Sequence, residues 1–426
     1  MAATFSNPKI AIVVAQRHPR VMYALETVFR EFLGMECRVV LPGEVESAMA
    51  DGFPICSYLP NPKPDIPAFP CSGLLYEDHI RPTNLAIDWA VASPGSLLGE
   101  DLFARIFFEL SQYAILQPGA AIKLDSHGRY PDSEGTLFIH DWLAQIGQAI
   151  QPLLSAPIKQ CAFDFELTID VDQPWKYLHK PWWVRWGGLV KGIWKQGDIR
   201  ERWNVLRGRQ PDPFSVLELV KEICPAAQTK VFFLGGGTHP NDSRYDFGME
   251  AYQALIREWK SAGFEVGIHP SYMSSVDPEK LRSEKEALEK IIGPVAISRQ
   301  HYLRYKTPDT FRQLIDLGIK RDYTLCRSTR PGPPTGVALP YRWFDLERNR
   351  TTDLQLIPAM VMDRSLQHYQ GLQPAQASQV IAKAIAQTKA VGGKFVIILH
   401  NETFSESGEW FRWLPVIRKT VDLLQQ

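Results

Sequence analysis

Six titratable residues stand at or just beyond the ends of apolar segments that have the character of buried β-strands. These residues are Asp170, Asp172, His269, Arg299, His301 and His400. Carboxylate and imidazole groups are common ligands of a catalytic metal ion, and the same groups act as general base and general acid. The combination therefore predicts metal-assisted hydrolysis of an amide or ester bond.

The pair Asp170 and Asp172 follows the strand-like segment 160–169. Spaced two residues apart past the end of a strand, one carboxylate can bind a metal while the other accepts a proton from a bound water. The same acids can instead cap the next turn or helix. The pair taken alone leaves both interpretations open.

The three histidines each follow a strand-like segment. His269 comes after an apolar strand and precedes a proline turn, and His301 follows Arg299 two residues later. Imidazole is a frequent ligand of first-row metals. His400 ends the apolar segment 395–399, where a rigidly held imidazole can protonate a leaving group. A hydrogen-bonded structural histidine remains the alternative at each position.

Alternating strand-like and helical segments must position these residues. From residue 160 onward the alternation is typical of a parallel sheet or barrel, whose chemistry lies at the carboxyl ends of the strands. The segments before residue 156 predict a smaller α/β domain, including strands at 9–15, 37–41 and 85–91 and a helix at 101–115. The predicted architecture is α/β throughout, with an N-terminal domain at 1–156 and a parallel sheet or barrel at 157–426; the resemblance described below implies that the latter is a distorted (β/α) barrel.

The bulk composition excludes several classes of protein. The formal net charge is zero and no nucleic-acid motif is present, so we expect no nucleic-acid partner. No apolar run reaches the roughly 18 residues of a membrane span, and the N-terminus lacks a secretory signal, which predicts a cytoplasmic protein. Six dispersed cysteines form no CxxC pair and are expected to be mostly buried thiols.

A segment rich in tryptophan and basic residues interrupts the barrel at 175–211. Residues 175–209 contain six of the twelve tryptophans and nine Lys or Arg residues against two acidic ones. Three interpretations stay open: aromatic stacking on sugar rings, peripheral contact with an anionic membrane surface, or a packed helical cap with its basic residues in water.

The order of these motifs resembles the polysaccharide deacetylase superfamily (NodB homology, carbohydrate esterase family 4). Residues 167–172 (LTIDVD) are similar to its first motif, which implies that Asp170 is the base and Asp172 a metal ligand. His269 matches the metal-binding histidine of the second motif. Arg299 matches the third motif, in which the arginine orients the catalytic aspartate, and His400 matches the general acid of the last.

The segments 267–272 (GIHPSY), 298–302 (SRQHY), 322–323 and 362–363 are similar to an uncharacterised bacterial two-domain subgroup of that superfamily, as is 125–131 (DSHGRYP). Two departures stand out. Met273 occupies the position of a second metal-binding histidine, which leaves His301 as the candidate third ligand. An arginine expected within 332–336 is absent, because the sequence there is GPPTG.

The resemblance implies a metal-dependent hydrolase that removes N- or O-linked acetyl groups from a carbohydrate or glycan precursor, with zinc as the expected cofactor. The alternative is a catalytically inactive relative that binds carbohydrate or associates with a membrane surface. The oligomeric state is left open. Five further residues near the motifs are expected to contact the substrate: Trp175, Tyr272, Tyr302, Asp322 and Asn401.

Overall fold

The computed structural model describes residues 7–93, 95–131, 136–159, 161–180 and 196–426. Its N-terminal part holds a parallel four-stranded sheet of order β2-β1-β3-β4. The strands are β1 Lys9–Val14, β2 Glu36–Val40, β3 Ile55–Tyr58 and β4 Ala68–Phe69. Five α-helices belong to the described residues of this part: α1 Pro19–Leu25, α2 Val45–Ala50, α3 Leu102–Leu110, α4 Tyr113–Leu116 and α5 Phe138–Ile150.

The strand predicted at 85–91 is wrong. These residues have no regular secondary structure, and Trp89 packs its ring on Phe108 at 5.6 Å. A strand must pair with the free edge of another strand. The edge of β4 that faces away from β3 is met, among the described residues, only by Ser96, through an isolated bridge at Ala68. The alternating apolar pattern of 85–91 therefore reflects packing on α3 and not sheet pairing.

Asp101 links α3 to the sheet and should be among the most sensitive residues of this part. It is fully buried and accepts hydrogen bonds from Tyr58 Oη at 2.7 Å, Ser72 N at 2.7 Å and Ala104 N at 3.0 Å. Asp101→Ala removes a helix cap and leaves these donors unpaired, so we expect a loss of about 3 kcal/mol in unfolding free energy. Urea denaturation measures it. Asp141→Ala, at an exposed position in α5, is the control, and an equal loss there would contradict the prediction.

The C-terminal part forms a nine-stranded sheet of order β10-β11-β9-β8-β7-β6-β5-β13-β12. Its strands are β5 Asp164–Val171, β6 Thr229–Leu234, β7 Glu265–His269, β8 Ile297–Ser298, β9 Arg321–Asp322, β10 Tyr341–Asp345, β11 Arg350–Leu356, β12 Val361–Met362 and β13 Lys394–His400. Its described helices are α6 Gln196–Leu206, α7 Leu217–Ile223, α8 Glu250–Ser261, α9 Pro278–Ile292, α10 Asp309–Asp316, α11 Pro374–Ala390 and α12 Leu414–Gln425. All neighbouring strands are parallel except β10, which is antiparallel to β11. The predicted α/β class is confirmed.

This sheet must curl. Strands β11 and β12 are seven positions apart in the sheet, which is about 34 Å if the sheet were flat. Only the four residues 357–360 separate them in sequence, a reach of at most about 18 Å. The two ends therefore approach each other. Within the described residues no strand ladder joins them, so a closed barrel is not shown.

The two parts share one hydrophobic core, because a single cluster contains both Ile12 of β1 and Ile169 of β5. Tyr23 of α1 donates a hydrogen bond to the carbonyl of Arg342 at 2.8 Å and packs on Phe344 with ring centroids 5.0 Å apart. The division of the chain at residues 156 and 157 stays a prediction. Because the core is shared, the N-terminal part packs closely on the larger sheet that carries the site.

Candidate metal centre and catalytic cavity

The carboxyl ends of the parallel strands surround a cavity of about 360 Å³. The strand ladder places His400 of β13 directly beside Asp170 of β5, and β7 and β8 follow on the other side of β6. Because parallel strands end at one edge, residues far apart in sequence meet there. The cavity wall includes five of the six residues singled out by the sequence: Asp170, Asp172, His269, His301 and His400.

The sixth residue, Arg299, lies beneath the cavity and holds Asp170. Its Nη1 donates to Asp170 Oδ1 at 2.7 Å and its Nη2 donates to Thr168 Oγ1 at 2.7 Å. Nε donates to the carbonyl of Tyr323 at 3.0 Å, and the side chain is fully buried. Three fixed hydrogen bonds leave the guanidinium little freedom. Arg299 thus orients the Asp170 carboxylate and balances its charge in a buried place.

His269 of β7 and His301 of the turn after β8 face each other through the ring nitrogens that do not meet backbone carbonyls. His269 Nδ1 lies 2.6 Å from the carbonyl of Arg299, and His301 Nε2 lies 2.9 Å from the carbonyl of Asn241. A carbonyl only accepts, so each of these nitrogens carries the hydrogen. The other nitrogens, His269 Nε2 and His301 Nδ1, lie 2.9 Å apart. When both rings are neutral, each of these nitrogens carries a lone pair. Two facing lone pairs repel unless a positive charge lies between them.

Asp172 supplies the third group. Its Oδ1 is 3.3 Å from His269 Nε2 and 3.7 Å from His301 Nδ1. It is a buried oxygen without a hydrogen-bond partner among the described residues. Burial by itself would raise the pKa of Asp172, but the neighbouring His301, His269 and His400 outweigh it and hold the pKa below its usual range.

These three groups fit a divalent metal ion. The donor atoms are separated by 2.9, 3.3 and 3.7 Å. Ligands of a tetrahedral zinc at bond lengths of about 2.0–2.1 Å stand about 3.3 Å apart. The hydrogen bonds of both histidines to backbone carbonyls are also the outer contacts that metal-binding histidines usually make. Asp172 Oδ1 is buried and has no hydrogen-bond partner among the described residues, and a bound metal would best explain this.

His400, on β13 beside β5, also borders the cavity and is held by Asp363. Its Nδ1 is 2.7 Å from Asp363 Oδ1, and its backbone N–H donates to Asp363 Oδ2 at 2.7 Å. Thr403 also donates to Asp363. Burial lowers the pKa of His400, but the Asp363 charge and hydrogen bond outweigh it and raise the pKa to about 9. At neutral pH His400 therefore carries a proton, and its Nε2 lies 3.7 Å from Asp172 Oδ2.

Replacing Asp363 by Asn tests the general-acid role that the motif resemblance implies for His400: kcat should fall while the content of bound metal stays the same. The amide keeps the size but lacks the charge that favours protonated His400, so we expect kcat to fall about 10²-fold, within the range of general acid catalysis. Steady-state acetate release and elemental analysis of the same sample measure both quantities. Asp345→Asn is the matched control, since Asp345 is also buried and paired with an arginine but does not border the cavity. An unchanged kcat in Asp363→Asn would contradict this role.

Sequence reasoning missed Asp363 and part of the cavity wall. Asp363 holds His400 without itself bordering the cavity, and it directly follows β12, so it carries the same strand-end signal as the other residues. Arg364 and Glu402 border the cavity and are joined by a hydrogen bond of 2.5 Å.

His127 and Arg129 also border the cavity. Their polar turn, 125–131, left two interpretations open, an ordinary surface turn or a contact with the C-terminal part or a ligand, and the structure places both side chains at the cavity.

Of the five residues expected to contact substrate, only Tyr302 borders the cavity. Tyr272 packs on the ring of Tyr302, with ring centroids 5.3 Å apart, but does not border the cavity itself. Trp175 is buried against Tyr245 and Tyr252.

The other two do not border the cavity either. Asp322 is buried below Arg299, where it accepts hydrogen bonds from Ser298 and Thr324. The amide of Asn401 donates to the backbone carbonyls of Gln173 and Phe214. The structure thus gives Trp175, Asp322 and Asn401 packing and hydrogen-bonding contacts away from the cavity wall.

The tryptophan-rich segment lies partly outside the described residues, because 181–195 are not among them. In the described part, Lys176 and Tyr177 contact Glu201 of α6 at 2.9 and 2.8 Å. The three interpretations of 175–211 stay predictions, as does a cytoplasmic location. Within the described residues no helix combines the length and apolar character required to traverse a bilayer.

Comparisons with known proteins gave a family match for part of the chain and several similar solved structures. Residues 10–146 match the model of a family of unknown function (DUF7033). A search of curated proteins found no match. Among solved structures, "Puue Allantoinase" has 13% identity and a TM-score of 0.38, covering 64% of this chain and 88% of that one.

Two further structures are similar over the same share of the chain. A probable polysaccharide deacetylase from Pseudomonas aeruginosa PAO1 has 12% identity and a TM-score of 0.37, covering 62% of this chain and 85% of that one. A putative glycoside hydrolase/deacetylase from Parabacteroides distasonis has 14% identity and a TM-score of 0.35, covering 62% and 67%. With TM-scores this low, the function has to be inferred from the geometry of the site.

Proposed function

We propose that this protein is a metal-dependent hydrolase that removes an N- or O-linked acetyl group from a carbohydrate or glycan precursor. The observation that carries the proposal is the convergence of His269, His301 and Asp172 on one point. A base candidate, Asp170, and an acid candidate, His400, border the same cavity. The curled parallel sheet supports the distorted (β/α) barrel on which this chemistry is expected.

Zinc is the metal that the donor set favours. Two imidazole nitrogens and one carboxylate oxygen suit an ion that is intermediate between hard and soft, such as zinc. Three protein ligands leave one position open for water or substrate. When bound, such an ion polarises the acyl carbonyl and lowers the pKa of its water. Met273, where a second motif histidine is absent, is 39% exposed, and His301 offers the second nitrogen, and so the third ligand, instead. This replacement favours an active enzyme over the inactive alternative.

The remaining steps belong to the residues of the chain. Asp170 takes the proton of the attacking water through the oxygen that Arg299 leaves uncovered, since Arg299 binds only Oδ1. His400 donates its Nε2 proton to the departing nitrogen or oxygen. Asp363 holds the imidazole in place and stabilises its charged form. Asp170 and His400 both border the cavity, so base and acid can reach the same bound substrate.

The choice of a carbohydrate rests on the motif resemblance of the sequence, and acetate release tests it. The metal-free protein is loaded with zinc and incubated with N-acetylglucosamine, its β-1,4-linked oligomers and O-acetylated sugars. We expect acetate from at least one substrate, lost after chelation and restored by zinc. Bound zinc without acetate from any acetylated sugar would reject the substrate class, and no bound metal would reject the mechanism.

A further inference from the structure

A short turn from the N-terminal part, residues 125–131, stands over one side of the catalytic cavity. Asp125 holds the turn together, because its Oδ1 accepts from the backbone N–H groups of His127 and Arg129, each at 2.9 Å. Its Oδ2 accepts from Arg129 Nε at 2.6 Å. Gly128 occupies the left-handed region at φ 74°, which this tight turn requires. The turn is therefore a preorganised piece of structure.

The turn contacts three separate loops of the cavity rim. The His127 ring packs on Tyr302, after β8, with centroids 4.7 Å apart, and its Nδ1 is 3.4 Å from Tyr272 Oη, after β7. Arg129 Nη2 donates to Tyr369 Oη at 3.1 Å, and Tyr369 belongs to the loop after β12. Going round the curled sheet from β8 through β9 toward β12, the strands in between are β9, β11 and the edge strand β10. The turn thus bridges the rim on this side.

A bridge at this position limits what the cavity can hold. An enzyme that acts on internal units of a polymer needs a groove that is open on both sides of the reacting unit. Here His127 and Arg129 form a wall on one side, and both border the same cavity as His269 and His301. Its volume of about 360 Å³ is at the small end of ligand pockets, of the order of one or two sugar units.

We propose that the 125–131 turn makes the active site a blind cavity, so that the substrate is a free sugar of one or two units or the terminal unit of a chain. This inference rests on the proposed function and adds the form of the substrate. The acyl group points toward His269 and His301. The far side of the same unit meets His127 and Arg129, whose N–H groups suit the hydroxyl oxygens of a sugar.

Saturation-transfer NMR tests this on the full-length, zinc-loaded Asp170→Asn variant, which is expected to bind without turnover. The probes are N-acetylglucosamine and its β-1,4-linked tetramer. We expect saturation concentrated in one terminal unit of the tetramer, with affinities for monomer and tetramer within a few-fold. Equal or stronger saturation of internal units would overturn the blind cavity while leaving the hydrolase proposal intact. Binding of neither probe would instead reject the carbohydrate itself, and with it this inference.

Variants of the wall separate its role from general folding. Arg129→Ala should weaken monomer binding roughly tenfold, through loss of a charged hydrogen bond, and raise the saturation of internal units. Tyr369→Phe changes a side chain that is 40% exposed and removes only the bond to Arg129, so it tests the bridge if Arg129→Ala does not fold. Leu124→Ala, at a 45% exposed position beside the turn that does not border the cavity, is the matched control. An unchanged saturation pattern in both wall variants would overturn the inference.

Discussion

An Asp170→Asn variant should lose about 10²- to 10⁴-fold in kcat while retaining its metal. Asparagine fills the same volume and can still accept a hydrogen bond from Arg299, so the buried surroundings change little. It cannot accept a proton from water, however, and the variant lacks the base. Acetate release gives kcat, and elemental analysis of the same preparation gives the metal content.

Asp172→Asn is the matched comparison, because it makes the same chemical change two residues along the chain. Asp172 Oδ1 faces both histidines, whereas Asp170 is bound by Arg299. We therefore expect Asp172→Asn to lose metal and activity together. If Asp170→Asn instead loses its metal while Asp172→Asn keeps it, the two roles are reversed. If Asp170→Asn remains nearly as active as the wild type, the base is another group.

The meeting of the central residues could be predicted from sequence because it depends on one physical rule. Parallel strands end at a common edge, so Asp172, His269 and His400 were expected to lie together once their segments were assigned as strands. The structure brings them together, with donor atoms of Asp172 within 3.7 Å of each histidine. The facing lone pairs of His269 and His301 could not be predicted. They depend on which ring nitrogen meets a backbone carbonyl.

The substrate contacts were harder to predict, because position after a strand does not determine which way the chain turns. Trp175 follows β5 just as Asp172 does, yet it is 6% exposed and packs against Tyr245. Asp322 ends β9, but its side chain points below the rim toward Ser298. His127 and Arg129 lie more than a hundred residues before His269, in a polar turn without periodicity. Their place in the cavity wall follows from the packing of two parts of the chain, which no local pattern reports.

A His301→Ala variant should lose more than about 100-fold in metal affinity. Substitutions of groups that merely orient a metal ligand cost about 10–100-fold, and His301 is expected to be a ligand itself. Competition with a zinc-binding dye measures the affinity. His368→Ala is the matched control, since His368 borders the same cavity but is not part of the three-residue cluster. An equal loss in both variants would indicate a general disturbance of the cavity.

The same site can be tested without catalysis, because only two species relieve the repulsion between His269 Nε2 and His301 Nδ1 at 2.9 Å. One is a metal ion that both nitrogens and Asp172 bind, and the other is a proton shared between the rings. A bound metal stabilises the folded state by about 2.7 kcal/mol when its free concentration is 100 times the Kd. Chelation should therefore lower the Tm of the wild type and leave that of His301→Ala nearly unchanged. A shared proton predicts no effect of chelator or zinc on either protein, and that result would remove the basis for metal-assisted hydrolysis.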